Sequence, residues 1–466
     1  MTGHPMQRTV ALCAAAALLA SLSAATVAAE PEGNVKSAIL LIGDGMGLAQ
    51  TYSAQIYAEE VLDGSLVMPS IDDTAVTRTQ SADSMVTDSA AAGTAIHSGW
   101  KVDNGAINVL PDGAWAYTLG QAAQEAGKSV GVLSTARMTH ATPASVYGHD
   151  ADRDAENLFA EQMVEFAPEV ALGGGARHFL PDADGGKRDD GRNLIDEMVE
   201  MGYVNVTNAG ELLAVETEST EQLLGLFTNS HMSYEIDRVN EGLDEPSVAE
   251  MTTVALDVLD NNPEGFFAMI ESGRIDHADH DHDIAGSIWD TLAVDEALQV
   301  ALDYQAAHPD VLVIATADHE TGGLALGHGT EYFTTINGLS DVTCSQSSLS
   351  DQISDDPDNA VALAEGCGLV LTDEYVAMLG EYPPEAEEIE GVDLGYAYTW
   401  AHYVLALAEA EMAGIEFGPW AHSGMPVITY AVGPGAEMFS GTIDNTDLPN
   451  YVAESLGVAL EAPAMP

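Results

Sequence analysis

Ser37-Ala38-Ile39-Leu40-Leu41-Ile42 runs without a charge into Gly43-Asp44-Gly45-Met46-Gly47. An apolar run without polar alternation reads as a strand buried on both faces, as in a parallel sheet lying between two helix layers. The glycines that follow let the backbone approach a ligand closely, and Asp44 stands among them at the strand's carboxyl end. Taken alone, the turn reads equally as a tight bend with a capping Asp.

Three further runs repeat the pattern, at residues 129–133, 266–270 and 311–315. The first leads through Thr135 to His140 and Thr142, the second ends at Glu271, and the third leads to Asp318 and His319. Helical stretches such as 114–124 and 247–259 separate the runs. This alternation predicts a doubly wound α/β fold, with a central, largely parallel sheet between helix layers. In open α/β sheets ligands bind at the carboxyl ends of the strands, so one crevice could gather all four groups. From 323 to 420 the strand–helix rhythm fades and Gly, Ser, Asp and Glu dominate. An insertion is expected there, on a core of 30–322 that resumes over 421–466 with a strand at 425–432.

Arg8, an apolar run over 10–20, and small residues at Val27 and Ala29 before Glu30 have the form of a secretory signal peptide, residues 1–29. Cys13 lies within it and lacks the context of a lipid anchor. No later stretch is apolar for the roughly 18 residues that a membrane helix needs. Export leaves Cys344 and Cys367, and two cysteines in an oxidising compartment are expected to pair. The expected location is the periplasm or the medium.

Thirteen basic residues against 75 acidic ones give a net charge of −62, and no Lys or Arg follows Arg274. Such a surface repels nucleic acid and anionic membranes. It also repels an anionic substrate, so a site for one needs local positive charge. Self-repulsion of this size is relieved where salt shortens the Debye length, to about 3 Å at 1 M. A halophilic or salt-tolerant protein is expected, with a melting temperature that falls as salt is removed. An unchanged or higher melting temperature would contradict this.

Thr87-Asp88-Ser89-Ala90 opens a run of small residues suited to a closely packed helix. Ser89 would stand at its N-terminus, where free N–H groups and the dipole favour an anion. Plain N-capping by Asp88 or Ser89 is the alternative. In Glu271-Ser272-Gly273-Arg274-Ile275-Asp276-His277-Ala278-Asp279-His280, Asp276 and His280 are four apart and share a helix face, a spacing that suits zinc. Asp279, Asp281, His282 and Asp283 read as solvated surface in so acidic a chain. Glu271 and Asp276 would raise each other's pKa unless cations lie between them. Asp318-His319 at a strand end, and His422 just before the last strand, complete a set of carboxylates, imidazoles and hydroxyls. That set fits two zinc ions and one magnesium.

With these motifs in this order, the sequence resembles the alkaline phosphatases over nearly the whole mature chain. The segments that carry the resemblance are Gly43–Gly47, Thr87–Ala90, Thr139–Pro143, Glu271 with Asp276 and His280, Ala317–Gly323, and His422–Gly424. The resemblance implies hydrolysis of phosphate monoesters through a phosphoserine on Ser89. It assigns Asp276, His280 and His422 to the first zinc, and Asp44, Asp318 and His319 to the second. It assigns Asp44, Thr142 and Glu271 to magnesium. It makes Arg153 the phosphate clamp and Asp88 the residue that orients it, with Arg137 as the rival clamp. His140 and His277 stand where some members carry Asp and Lys, and are expected to act through water. The resemblance further implies a crown-like insertion and a homodimer.

Two other readings remain: a phosphodiesterase of the same superfamily, and a non-catalytic protein that binds metal or phosphate. A sulfatase is excluded, because Ala90 and Ala91 follow Ser89 where that class needs Cys/Ser-x-Pro-x-Arg.

Overall fold

β1 (Ser37–Gly43) is buried along its whole length and has a parallel neighbour on either side. The computed structural model describes residues 35–330, 332–383, 385–386, 389 and 399–465. The expected signal peptide lies outside them. The other strands are β2 (Asp73–Arg78), β3 (Ser129–Arg137), β4 (Val170–Gly174), β5 (Val204–Val206), β6 (Leu223–Leu226), β7 (Phe266–Ser272), β8 (Val311–Ala317), β9 (Glu320–Thr321), β10 (Ala325–Leu326), β11 (Ile415–Glu416), β12 (His422–Ser423), β13 (Val427–Val432) and β14 (Gly441–Asp444). β10 pairs with β11, and β9 with β12. The rest form one sheet in the order β14-β2-β13-β8-β1-β7-β3-β4-β6-β5.

The four runs read from the sequence are the four contiguous central strands, β8-β1-β7-β3, all parallel. Alternation along β1 fills two cores. Ala38, Leu40 and Ile42 join the cluster on one face, and Ile39 and Leu41 join the cluster on the other. Fully burying an aliphatic side chain contributes about 1.5–3 kcal/mol, so a strand apolar on both faces is held from both sides. β13 is antiparallel to β8 and β2. Its start therefore lies level with the carboxyl ends of its neighbours, which brings His422 to the same edge as Asp44 and Asp318.

Two expectations need adjusting. The helix expected from 114 begins at Leu119, where Thr118 caps it and exchanges a capping box with Gln121. Trp115 instead bridges to Val109 and Ala464. The segment 279–283 is not solvated: Asp279, Asp281, His282 and Asp283 are all buried. Helices from the 346–413 stretch form a third hydrophobic cluster together with residues of the helix that begins at Ile284. At the start of the 346–413 stretch the Gln346 N–H donates to Asp283 Oδ2 at 2.8 Å, which helps to cover this turn.

Cys344 and Cys367 form a disulfide across a separation of 23 residues. Closing a loop of that length contributes about 3 kcal/mol by restricting the unfolded chain. No helix among the described residues is long and apolar enough to cross a membrane.

Candidate active site

The sheet's carboxyl edge assembles the site. Ile42 lies opposite Glu271 on one side and Thr316 on the other, so Asp44 and Asp318 leave the sheet level with one another and Glu271 stands two positions lower on the strand between β1 and β3. Gly45 turns the chain at φ 74°, and a Cβ there would lie 2.8 Å from the Asp276 backbone and 2.9 Å from Thr321 Oγ1. Only glycine allows that approach. Its N–H donates to Asp318 Oδ1 at 3.1 Å.

Ser89 is the first residue of the helix Ser89–Ser98 and is buried. Asp88 caps this helix by accepting from the Ala91 N–H at 2.9 Å. Ser89 Oγ lies 3.2 Å from His319 Nε2. That nitrogen is also 3.2 Å from Asp318 Oδ2 and 3.5 Å from Asp44 Oδ1. Asp276 Oδ1 faces His280 Nε2 at 3.5 Å and His422 Nε2 at 3.4 Å, and accepts from Thr321 Oγ1 at 2.5 Å. The two imidazole nitrogens are 3.1 Å apart. Both rings are fixed from behind: His280 Nδ1 donates to the Trp420 carbonyl and His422 Nδ1 to the Thr87 carbonyl, each at 2.7 Å. A carbonyl can only accept, so in the neutral ring each Nε2 is the nitrogen that would bind a cation.

The electrostatics call for cations. Both Asp44 oxygens, Asp318 Oδ2, Glu271 Oε1, Thr142 Oγ1 and His140 Nδ1 are buried without a hydrogen-bond partner. Burial, with Asp318, Asp276 and Glu271 around it, pushes the Asp44 carboxyl well above its ordinary value. Burial pushes Glu271 up to about 7. Burial and the Asp276 charge push Asp318 up to about 7. Carboxylates so placed stay ionised only with positive charge between them. Among the described residues, three groups hold ligand atoms within 4.8 Å of one another: Asp276, His319 and His422; Asp44, Asp318 and His319; and Asp44, Glu271 and His140. The donor set of imidazole, carboxylate and hydroxyl fits zinc and magnesium. His140 thus comes close enough to be a direct ligand, where the sequence suggested action through water.

The two arginines part company here. Arg153 Nη1 donates to Asp88 Oδ2 at 2.9 Å, and its Nη2 lies 3.3 Å from His140 Nε2. Arg137 is engaged at both ends of its fork by Glu156, at 2.7 and 2.8 Å. Against the effect of burial, Arg137 holds the Glu156 carboxyl below its ordinary value.

Residues 35–458 match the family model for alkaline phosphatase. The chain belongs to the alkaline phosphatase family. It is a metal-dependent phosphomonoesterase. The phosphatase is 33% identical over 453 residues to alkaline phosphatase 3 of Bacillus subtilis, covering 94% of this chain and 93% of that protein. Its fold is similar to that of Thermus thermophilus alkaline phosphatase, with TM-score 0.82, 31% identity and 93% of each chain covered. It is also similar to the cold-active alkaline phosphatase of a psychrophilic Shewanella, with TM-score 0.76, 27% identity, and 90% of this chain and 99% of that one covered.

Some residues around the phosphatase site escape sequence reasoning. His231 stands 4.3 Å from the His277 ring and 5.3 Å from that of His140, centroid to centroid. Nothing around Asn229-Ser230-His231 signals this. Ser134 donates to Glu271 Oε2 from the neighbouring strand. Ser134 Oγ also accepts from the Ala136 N–H at 2.8 Å. Thr321, which holds Asp276, could have been found as part of the Asp318–Gly322 motif.

Proposed function

We propose that the enzyme hydrolyses phosphate monoesters through a phosphoserine formed on Ser89, with two zinc ions and one magnesium as resident cations. Asp276, His280 and His422 would hold one zinc, and Asp44, Asp318 and His319 the other. Asp44, Thr142 and Glu271 would hold magnesium, with a His140 nitrogen in reach. When bound, the cations supply the charge that ionises a hydroxyl near neutral pH and offsets charge developing on the phosphate and its leaving oxygen.

The chain's own residues do the rest. Ser89 Oγ attacks phosphorus in line. Ser89 gives its hydroxyl proton to solvent, the Oγ–P bond forms as the bond from phosphorus to the ester oxygen breaks, and the departing alkoxide takes a proton back from solvent. A water molecule then attacks phosphorus from the vacated side and frees Ser89, so the net change is ester plus water to alcohol plus phosphate. The helix N-terminus beneath Ser89 favours the dianion throughout. Asp88 aims the Arg153 guanidinium, whose planar fork suits two phosphate oxygens. Export, which rests on the signal-peptide pattern of residues 1–29, and a homodimeric assembly, which rests on the resemblance, belong to the same reading.

The observation that carries this reading is the position of Ser89 Oγ, 3.2 Å from a His319 nitrogen that also meets Asp44 and Asp318. The arginine arrangement favours the monoester over the diester reading, because a clamp is most useful on a terminal phosphate with free oxygens. The test compares kcat/KM on an aryl phosphate and a bis-aryl phosphate in Arg153→Ala and Arg137→Ala. Arg153→Ala should cost roughly 10²-fold on the monoester and much less on the diester, a loss of about 2.7 kcal/mol. Arg137→Ala should instead lower stability, by about 3 kcal/mol, because it takes the guanidinium from a buried Glu156 and leaves it Thr139 and His178 alone. A wild-type enzyme faster on the diester would select the other reading.

A further inference from the structure

The turn between the helices Arg274–His280 and Ile284–Ala307 carries a residue that the mechanism does not use. His282 holds a left-handed backbone, φ 55°, which side chains other than glycine adopt uncommonly. Its ring lies against Trp420, with centroids 3.7 Å apart and planes within 9°, and against Phe417, at 4.5 Å and 7°. Its Nε2 donates to the Pro419 carbonyl at 3.3 Å. One imidazole therefore grips Phe417, Pro419 and Trp420, the segment that leads into His422. That segment reaches back to the helix before the turn, since the Trp420 carbonyl accepts from His280 Nδ1 at 2.7 Å. Trp420 also stacks on Tyr403 of the helix Trp400–Ala413, with centroids 6.0 Å apart.

We propose that His282 is a positioning residue for the His280–His422 pair: stacked between Phe417 and Trp420, it fixes the carbonyl that orients His280 and thereby sets the zinc affinity of the site completed by Asp276. The inference rests on the zinc reading above. Groups that orient a ligating imidazole govern metal affinity nearly as strongly as the ligands do. The positive φ has a place in this picture, because unusual backbone persists where the surroundings over-determine it and recurs at functional sites. Aromatic stacking on both faces, together with the hydrogen bond to Pro419, supplies that constraint.

The test is zinc titration of the purified full chain against a chromogenic chelator, with the wild type measured first. His282→Gly accepts the backbone angle and removes the ring. Trp420→Leu removes the other half of the stack and keeps the carbonyl. His282→Phe keeps the ring and loses the N–H. In His282→Gly one zinc-binding step should weaken about 10- to 100-fold while the other holds its wild-type affinity. Activity should return, with kcat near the wild-type value, as zinc is raised by the same factor. Trp420→Leu should move the same step, and His282→Phe should stay within about threefold of wild type, as expected if stacking does most of the orienting. Wild-type affinities in both His282→Gly and Trp420→Leu would overturn the proposal. So would equal weakening of every step, or a His282→Phe protein as weak as His282→Gly. A wild-type protein with no zinc-binding step at all would instead defeat the functional reading, and the first titration would reveal it.

Discussion

Ser89→Ala is expected to lower kcat on an aryl phosphate by three or more orders of magnitude, about 4 kcal/mol or more of transition-state stabilisation. It should also abolish any phosphoserine trapped by acid quenching. The substitution removes only the Oγ, and the helix Ser89–Ser98 keeps its Asp88 cap. One hydrogen bond is lost, to His319 Nε2 at 3.2 Å. A bond of that kind contributes about 0.5–1.5 kcal/mol net, so the melting temperature should move by only a few degrees. Some activity should survive, because the positive site still binds and polarises the ester. Wild-type turnover in this variant would remove Ser89 from the mechanism.

Stripping the protein of metal is expected to abolish turnover, and zinc with magnesium should restore it. Without cations the site holds Asp44, Glu271, Asp276 and Asp318 together in the interior. Against the effect of burial, the His280 and His422 imidazoles hold the Asp276 carboxyl well below its ordinary value, but the carboxyls of Asp44, Glu271 and Asp318 stay raised. Stability should then acquire a pH dependence of known sign. Glu271 and Asp318 are pushed up to about 7 in the folded, metal-free protein. In the unfolded chain they titrate near about 4. At these two sites the folded state therefore holds protons that the unfolded state has released, and they cost the metal-free protein stability as pH rises from the unfolded values through about 7. The metal-loaded protein should lack the contribution of these two carboxyls, because bound cations keep them ionised throughout. A metal-free protein whose melting temperature rises relative to that of the metal-loaded protein between pH 5 and about 8 would contradict the sign of this contribution. Full activity after exhaustive chelation would contradict the mechanism.

The central sheet was legible because burial on both faces removes alternation, and β1, β3, β7 and β8 show it as continuous apolar runs. The carboxyl-edge rule then placed Asp44, Glu271 and Asp318 together without any contact being known. His422 was harder. A lone histidine before a strand carries no periodicity, and its place follows only from β13 running antiparallel beside β8, which a sequence does not state. Asp279, Asp281, His282 and Asp283 were misread for a related reason. Charge in an acidic chain suggests solvent, but Asp283 caps a helix by accepting from Gly286 at 2.7 Å, and Asp281 accepts from Tyr234 at 3.3 Å. Their burial depends on a helical segment some sixty residues downstream, with Gln346 at 2.8 Å from Asp283. His231 was invisible because it meets His140 and His277 only through the fold.

Diffraction from crystals of the active, zinc-loaded protein, recorded on both sides of the zinc absorption edge, addresses the cation requirement directly. Two strong anomalous peaks are expected, one among Asp276, His280 and His422 and the other among Asp44, Asp318 and His319, with Ser89 Oγ beside the second. Catalytically competent crystals with no zinc signal at either position would contradict it.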